Sequence, residues 1–261
     1  MIEVKSLCKS FDNKEVLRGI DAIFEDGKTN LIIGQSGSGK TVFMKCIVGL
    51  FEPTTGELLY DNRNFLTMGK KEKIGLRREM GMIFQSAALF DSMSVLENVM
   101  FPLNMFSTET FIEREARAKF CLDRVNLSEA YSKYPGEISG GMQKRVAIAR
   151  AISLNPKYLF CDEPNSGLDP KTSLIIDELI QDITHEYCMT TIINTHDMNS
   201  VMGIGENIIF LCDGLKEWEG DSTKVMSAES KKLNDFIFAS DLFKKVKEAE
   251  QEEIRVRDAL L

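Results

Sequence analysis

The sequence is poor in histidine, tryptophan and proline, with 2, 1 and 6 in 261 residues, and none of its 6 cysteines belongs to a Cys-x-x-Cys pair. Cys8, Cys46, Cys121, Cys161, Cys188 and Cys212 are scattered, which argues against a zinc or disulfide framework and for reduced, mostly buried thiols. No apolar run approaches the roughly 18 residues that a membrane helix needs, so no segment is expected to span a bilayer. The opening MIEVKSLCKSF lacks the apolar stretch and small-residue cleavage site of an export signal. The chain is therefore expected in the cytosol, reaching a membrane only through a partner. An excess of basic charge is missing too: 40 acidic against 32 basic residues give a net charge of -8, with no general attraction to nucleic acid or anionic lipid. Internal repeats and low-complexity linkers are also absent.

What is present suits one large α/β domain or a domain with an inserted lobe, at 43% hydrophobic and 28% charged residues. Residues 2–7 and 16–24 alternate as half-buried strands do, with Asp12-Asn13 as turn residues between them and Glu25-Asp26-Gly27 closing the second. They predict an antiparallel N-terminal sheet. Short runs apolar on both faces follow at 30–33, 80–84, 158–161, 191–193 and 208–211, as in a parallel sheet covered by helices on each side. Between 90 and 136 the texture turns helical. Ser94-Val95-Leu96-Glu97 and Thr110-x-x-Glu113 have capping-box spacing, and Glu113/Arg117 and Glu115/Lys119 are pairs at i,i+4. The expected organisation is an α/β core with its N-terminal β-subdomain over 1–89 and 137–223, an inserted helical lobe over 90–136, and a helical tail over 224–261. In the tail Leu233, Phe236, Ile237, Leu242, Phe243 and Val246 recur at helical spacing, whereas the chain after Lys247 is almost wholly charged. The first part is expected to dock and the last to be solvated.

Gly34-Gln35-Ser36-Gly37-Ser38-Gly39-Lys40-Thr41 fits G-x-x-x-x-G-K-[ST] between an apolar run and a helical pattern, the context that this motif requires. Its glycines let the backbone wrap a polyphosphate so that N–H groups and a helix N-terminus face the charge. Lys40 would reach the β and γ phosphates of ATP, and the Thr41 hydroxyl would take one position on Mg²⁺. In Tyr158-Leu159-Phe160-Cys161-Asp162-Glu163, four largely apolar residues deliver two acids to the C-terminal edge of a buried strand, where ligands of open α/β sheets bind. Asp162 would hold Mg²⁺, and Glu163 would orient or deprotonate the attacking water. Asp169 before Pro170 is a good helix N-cap; capping alone explains both, and Asp169 is also counted among the nucleotide-binding candidates. His196 ends the run TTIINTH on the same sheet edge and is a catalytic candidate, while His185 in a polar helical stretch reads as structural.

Between these motifs lies Ile138-Ser139-Gly140-Gly141-Met142-Gln143-Lys144-Arg145, and with it the chain resembles the nucleotide-binding subunits of ABC transporters from Phe11 to His196, all parts in the family's order. The resemblance implies an α/β P-loop NTPase fold with an N-terminal antiparallel β-subdomain and an inserted helical subdomain. It also implies ATP hydrolysis coupled to an integral-membrane permease at the cytoplasmic face of a bacterial inner membrane. By residue-wise carry-over, Phe11 matches the aromatic that stacks on adenine, Gln85 the glutamine that links Mg²⁺ to the membrane partner, and His196 the γ-phosphate switch. Ser139, Gly140 and Gly141 match the signature that closes on the ATP of a second copy. A serine-capped helix N-terminus with two side-chain-free residues is itself an anion site. If the lobe holds it away from its own phosphate loop, the active unit is a head-to-tail dimer around two ATPs.

Some positions depart from the commonest family pattern. Ile138 stands where leucine is usual, Met142 where glutamine is usual, and Asn165-Ser166-Gly167 replaces a Ser-Ala-Leu style of loop. Methionine cannot donate a hydrogen bond, so what the glutamine contributes is absent or supplied by Gln143. SGGM, residues 84–90 (FQSAALF) and 94–99 (SVLENV) resemble the Mla/Mce-type phospholipid-transport branch, which implies a lipid-binding periplasmic subunit and a small regulatory subunit. Met93, Met100, Phe101, Met105 and Phe106 suit either a permease-docking surface or the lobe's own core. A solute importer or lipoprotein exporter is the nearer alternative. The remote one is a non-transport ABC ATPase acting on nucleic acid or ribosomes, a class with long heptad insertions or tandem cassettes that this chain lacks. The tail fits an ordinary docking helix or a regulatory or dimer-bracing segment.

Overall fold

The computed structural model describes residues 1–12 and 14–238. The chain begins with β1 (Ile2–Phe11), β2 (Lys14–Phe24), β3 (Thr29–Ile33), α1 (Lys40–Ile47), β4 (Thr55–Tyr60), β5 (Arg63–Asn64), α2 (Lys70–Arg78) and β6 (Met80–Ile83). It continues through α3 (Val95–Phe106), α4 (Phe111–Arg124), α5 (Gly140–Ile152), β7 (Tyr158–Asp162), α6 (Pro170–Glu186) and β8 (Thr190–Thr195). Then come α7 (Met198–Ile204), β9 (Asn207–Cys212), β10 (Leu215–Gly220), α8 (Ser222–Val225) and α9 (Lys231–Ile237).

β1 and β2 pair antiparallel as their alternation predicts, burying Ile2, Val4 and Leu7 against Leu17, Ile20 and Phe24. The alternation slips between Val4 and Leu7, where Ser6 takes a φ of 46° and the bulge turns Leu7 inward. β4 covers the other edge of β1 and carries β5, giving the order β2-β1-β4-β5. Those last two strands have no clear signal in the sequence, because Thr55-Gly56-Glu57 places nothing apolar in the first half of β4.

The second sheet has the order β10-β9-β3-β8-β7-β6, parallel throughout except for β10, which folds back antiparallel on β9. Alternate residues leave it on opposite faces. Leu31, Ile33, Leu159, Cys161 and Ile193 enter the core formed with α5, α6 and α7. Ile32, Phe160, Ile192, Ile209 and Leu211 enter the core shared with α1 and the antiparallel sheet. Both faces are covered, which is why these strands read as short apolar runs, broken only by buried Thr and Asn such as Asn30 and Thr191.

α3 and α4 pack on α5 through Val99, Leu103, Ala118, Leu122 and Val146. Both expected capping boxes form: Ser94 Oγ accepts from Glu97 N at 3.2 Å, Thr110 Oγ1 from Glu113 N at 3.4 Å, and each glutamate accepts from its cap's N–H in return. These bonds hold both carboxyls below the usual glutamate value. The Glu115–Lys119 pair is present at 2.7 Å. The Glu113/Arg117 pair is not: Glu113 turns back onto Thr110, and Arg117 donates to Ser153 O (3.0 Å) and Ile152 O (3.0 Å) at the end of α5. The carbonyls that end a helix are good acceptors for a cation, and the capping box has already engaged the glutamate.

α9 docks through buried Leu233 and Ile237, and Phe236 stacks on Phe210 with centroids 5.4 Å apart. Leu242, Phe243, Val246 and the charged end of the tail lie outside the described residues, as does Asn13. Among the described residues no helix is long and apolar enough to cross a membrane.

Arg117→Ala is expected to lower the unfolding free energy by roughly 1–2 kcal/mol. In a urea-denaturation double-mutant cycle with Glu113→Ala the coupling should be near zero, and a coupling of about 0.5 kcal/mol would restore the pair that the structure rejects.

Candidate active site

β3, β8 and β7 lie side by side, with Ile33 level with Thr195 and Asp162 level with Asn194. Their C-terminal ends therefore deliver three distant chain segments to one edge: the glycine loop after β3, His196 after β8, and Asp162-Glu163 at the end of β7. The result is an open cleft of about 1120 Å³. Gln35, Ser36, Gly37, Gly39, Lys40 and Thr41 line one side; Gln85, Asp162, Glu163 and His196 face them.

The loop can take this course only with glycine at its ends. A Cβ on Gly34 would lie 2.3 Å from Leu211 O, and one on Gly39, at a φ of 106°, would lie 2.9 Å from the Leu17 side chain. Gly39 caps α1 without any side-chain hydrogen bond, leaving the first N–H groups of that helix directed at the cleft. Lys40, 7% exposed, spans the loop, its Nζ donating to Gly34 O (2.8 Å) and Gln35 O (3.0 Å). Burial lowers its pKa below the usual lysine value, opposed by the Glu163 and Asp162 carboxylates across the cleft. Ser38 Oγ, buried inside the loop, has no hydrogen-bond partner among the described residues.

On the facing wall Asp162 Oδ1 accepts from Asn194 Nδ2 at 3.0 Å. Glu163 leaves the strand with a φ of 49°, its N–H bonded to Asn194 O, and His196 Nδ1 lies 3.0 Å from its Oε1. Gln85 Nε2 donates to Ser166 Oγ at 3.0 Å. Open N–H groups and a buried lysine on one wall suit a polyphosphate, whereas Gly34 and Ser38 lie within the loop and do not line the cleft. Thr41, Gln85 and Asp162 offer hard oxygen donors with one carboxylate among them, the set for a Mg²⁺ that takes its remaining ligands from phosphate and water.

Other predicted residues lie outside the cleft. Phe11, 38% exposed, meets Phe51 edge-on at 5.3 Å beneath Lys9. Ser139 caps α5, accepting from Met142 N at 3.3 Å, and with Gly140 it is exposed to solvent; neither they nor Gly141 line the cleft. Gln143, the residue left to replace the missing glutamine, spends its amide on Pro135 O at 2.9 Å. Asp169 caps α6 through Thr172 N (3.1 Å), as capping alone predicts, and only its neighbours Leu168 and Pro170 reach the cleft. His185 pairs with Glu206 at 3.1 Å, in keeping with a structural role.

Several residues that shape this site carry no readable signal. From α5, Lys144 donates to Gln85 O, and Arg150 donates to Ala87 O and Ala88 O at 2.7 Å each. They hold the segment presenting Gln85 with Ala87 and Ala88 at φ of 61° and 49°, conformations that alanine seldom adopts. Behind the cleft Asp177 accepts from Asn165 Nδ2 and Ser200 Oγ, each at 2.7 Å. Arg150 also walls an apolar groove of about 460 Å³ with Phe84, Phe90, Phe101 and Phe106. Of the five residues that suited docking or core, Phe101 and Phe106 line this groove, Met105 is exposed, Met93 is half-buried and Met100 is in the core.

The ABC transporter family model matches residues 17–166. The probable ribonucleotide transport ATP-binding protein mkl of Mycobacterium leprae is 37% identical over 207 residues, 79% of this chain and 60% of that one. The chain thus spans about 60% of the length of its mycobacterial relative. The arginine transport ATP-binding protein ArtM of Bacillus subtilis is 35% identical, over 91% of this chain and 98% of that protein. Among solved structures, the dimeric post-hydrolysis state of the ATP-binding cassette MJ0796 with ADP and Pi superimposes with a TM-score of 0.77. It is 33% identical and covers 85% of this chain and 99% of that one.

Burial pushes the Asp177 carboxyl up to about 6, against the Ser200 and Asn165 hydrogen bonds that pull it down. The folded chain therefore holds this proton more tightly than the unfolded one, so its contribution to stability is complete below about pH 4 and is lost as pH rises through about 6. The stability of wild type relative to Asp177→Asn should fall by roughly 1–3 kcal/mol between pH 4 and pH 7 in urea denaturation. A flat difference would mean that this carboxyl titrates normally.

Proposed function

We propose, from the premise that this chain belongs to the ABC transporter family and carries its ATPase domain, that it hydrolyses Mg-ATP in a head-to-tail dimer to drive a membrane permease. The observation that carries this reading is the convergence of the phosphate loop, Asp162, Glu163, His196 and Gln85 on one cleft. Lys40 and the open N–H groups of the loop and α1 bind the β and γ phosphates, and Phe11, exposed outside the cleft, is the ring proposed to stack on adenine. Thr41, Asp162 and Gln85 hold Mg²⁺, which supplies charge neutralisation on the phosphates. Glu163 orients or deprotonates the attacking water, with His196 steadying its carboxylate and marking the γ-phosphate position. The work is positioning and charge stabilisation.

Ser139, Gly140 and Gly141 stand away from the cleft of their own chain, at a helix N-terminus open to an anion. This supports a dimer in which each copy closes its signature on the other's ATP, as does the likeness to MJ0796, which is dimeric with ADP and Pi. The permease docks in the apolar groove, where Phe101 and Phe106 meet Arg150, so that its motion bears on the segment carrying Gln85. The chain then works at the cytoplasmic face of a bacterial inner membrane.

For the cargo we favour phospholipid, with a lipid-binding periplasmic subunit and a small regulatory subunit, on the residues at 84–90, 94–99 and 139–142. The alternative is a solute importer, favoured by the match over nearly the whole of an arginine transport protein. A pull-down of the tagged chain from solubilised membranes of its native host separates them. Recovery of a permease with a lipid-binding partner and phospholipid supports the first, and a soluble-solute binding protein supports the second. A purely soluble complex would overturn both.

Glu163→Gln should retain ATP binding while lowering turnover at least ~10²-fold; turnover at the wild-type rate would refute its role. Lys40→Ala should instead weaken nucleotide binding by at least ~10-fold in equilibrium dialysis, about 1.4 kcal/mol.

A further inference from the structure

Three buried polar side chains from three elements meet behind the cleft. Asp177 on α6 is 3% exposed, Ser200 on α7 is 1% exposed, and Asn165 in the loop after Glu163 is 9% exposed. Asn165 Nδ2 donates to Asp177 Oδ1 at 2.7 Å and to Ser200 Oγ at 3.2 Å, and Ser200 Oγ donates to Asp177 Oδ2 at 2.7 Å. A buried carboxylate is costly unless its oxygens are paired, and an apolar residue would fill position 177 without that cost. Its neighbours on the buried face of α6, Ile176, Ile180 and Ile183, show what core packing alone selects. A carboxylate here needs a reason beyond packing.

That reason lies in what the cluster joins. Residues 163–168 fold back through two tight turns, Ser166 N to Glu163 O (3.1 Å) and Leu168 N to Asn165 O (3.2 Å). The Asn165 side chain ties these turns to α6 and α7. On one side of the tie stand Glu163 and Ser166, whose hydroxyl receives Gln85. On the other stands Ser200 in α7, the helix that begins two residues after His196. Each donor takes its own oxygen of Asp177, and an amide at this position would turn an NH₂ group against one of them.

We infer that Asp177 is a positioning residue for the hydrolytic site, clamping the loop after Glu163 to the helix after His196 and thereby fixing the Glu163–His196 pair and the Ser166 contact of Gln85. The effect on turnover rests on the hydrolytic reading above; the effect on His196 placement does not.

The test uses the full-length chain with Asp177→Asn, the milder Ser200→Ala, and Thr184→Val as a control. Thr184 is buried on the same helix but bonds to Ile180 O and Thr191, away from the cleft. The readouts are steady-state ATP kinetics and the imidazole NMR resonances of His196 and His185, the chain's 2 histidines. Asp177→Asn and Ser200→Ala are expected to move the His196 resonances and leave His185 in place. They should also lower kcat ~10- to 100-fold with KM for ATP within about twofold, while Thr184→Val does neither. If His196 stays at its wild-type position in a folded variant, the clamp is overturned, whatever happens to kcat. If His196 moves and kcat does not, the clamp stands and the catalytic reading of the Glu163–His196 pair falls. Should the wild-type chain hydrolyse no ATP, the hydrolytic reading fails and the resonances alone decide the clamp.

Discussion

Parallel pairing of β3 with β8 and of β8 with β7 is the constraint on which the site depends. It places the ends of residues 29–33, 190–195 and 158–162 side by side on three neighbouring strands, although more than a hundred residues separate the first from the others. Such a sheet needs helical crossovers and dry cover on both faces. Supplying that cover are α5, α6 and α7 on one face, and α1 with the antiparallel sheet on the other. The cover leaves the C-terminal edge open, so the acids Asp162 and Glu163 gather there with Lys40 and His196.

Once gathered, their charges are arranged against one another. The open N-terminus of α1 and Lys40 stand on one wall, and Asp162 and Glu163 on the other. Burial works against the Lys40 charge, and the facing carboxylates work for it. The segments that bring Glu163, Ala87 and Ala88 to the site all leave ordinary backbone geometry, with φ of 49° to 61°. Each is restrained from outside: Glu163 by the Asn194 carbonyl, and Ala87 and Ala88 by the Arg150 guanidinium. Strain of this kind persists only where the surrounding structure over-determines it. The helix that has Ser139, Gly140 and Gly141 at its start thus carries further along the cations that shape the neighbouring loop, so one element borders the Ser139 end, the apolar groove and the Gln85 segment.

Much of the fold was legible because its signals are short-ranged. Period-two alternation marked β1 and β2, doubly apolar runs marked the parallel strands, and Ser-x-x-Glu and Thr-x-x-Glu spacing marked the starts of α3 and α4. β4 and β5 were missed because their pairing is decided by the free edge of β1 and by turn geometry. The Arg117 partner was misread for a related reason. Spacing on one helix offers Glu113, but a capping box removes that carboxylate and the end of α5 supplies acceptors that no local pattern reveals.

By itself the sequence determined the chemistry available: a loop of glycines ending in Lys40-Thr41, two acids delivered by an apolar strand, a histidine after another, and a serine with two glycines opening a helix. Those properties reside in contiguous residues, where side-chain type and spacing suffice. Only the tertiary structure decided which of them share a cleft, that Ser139, Gly140 and Gly141 stand apart from it, and that Lys144, Arg150 and Asp177 hydrogen-bond the segments around it. The physical reason is competition. A buried donor or acceptor takes whichever partner the packing of distant segments brings within about 3 Å, and that distance is a property of the whole fold.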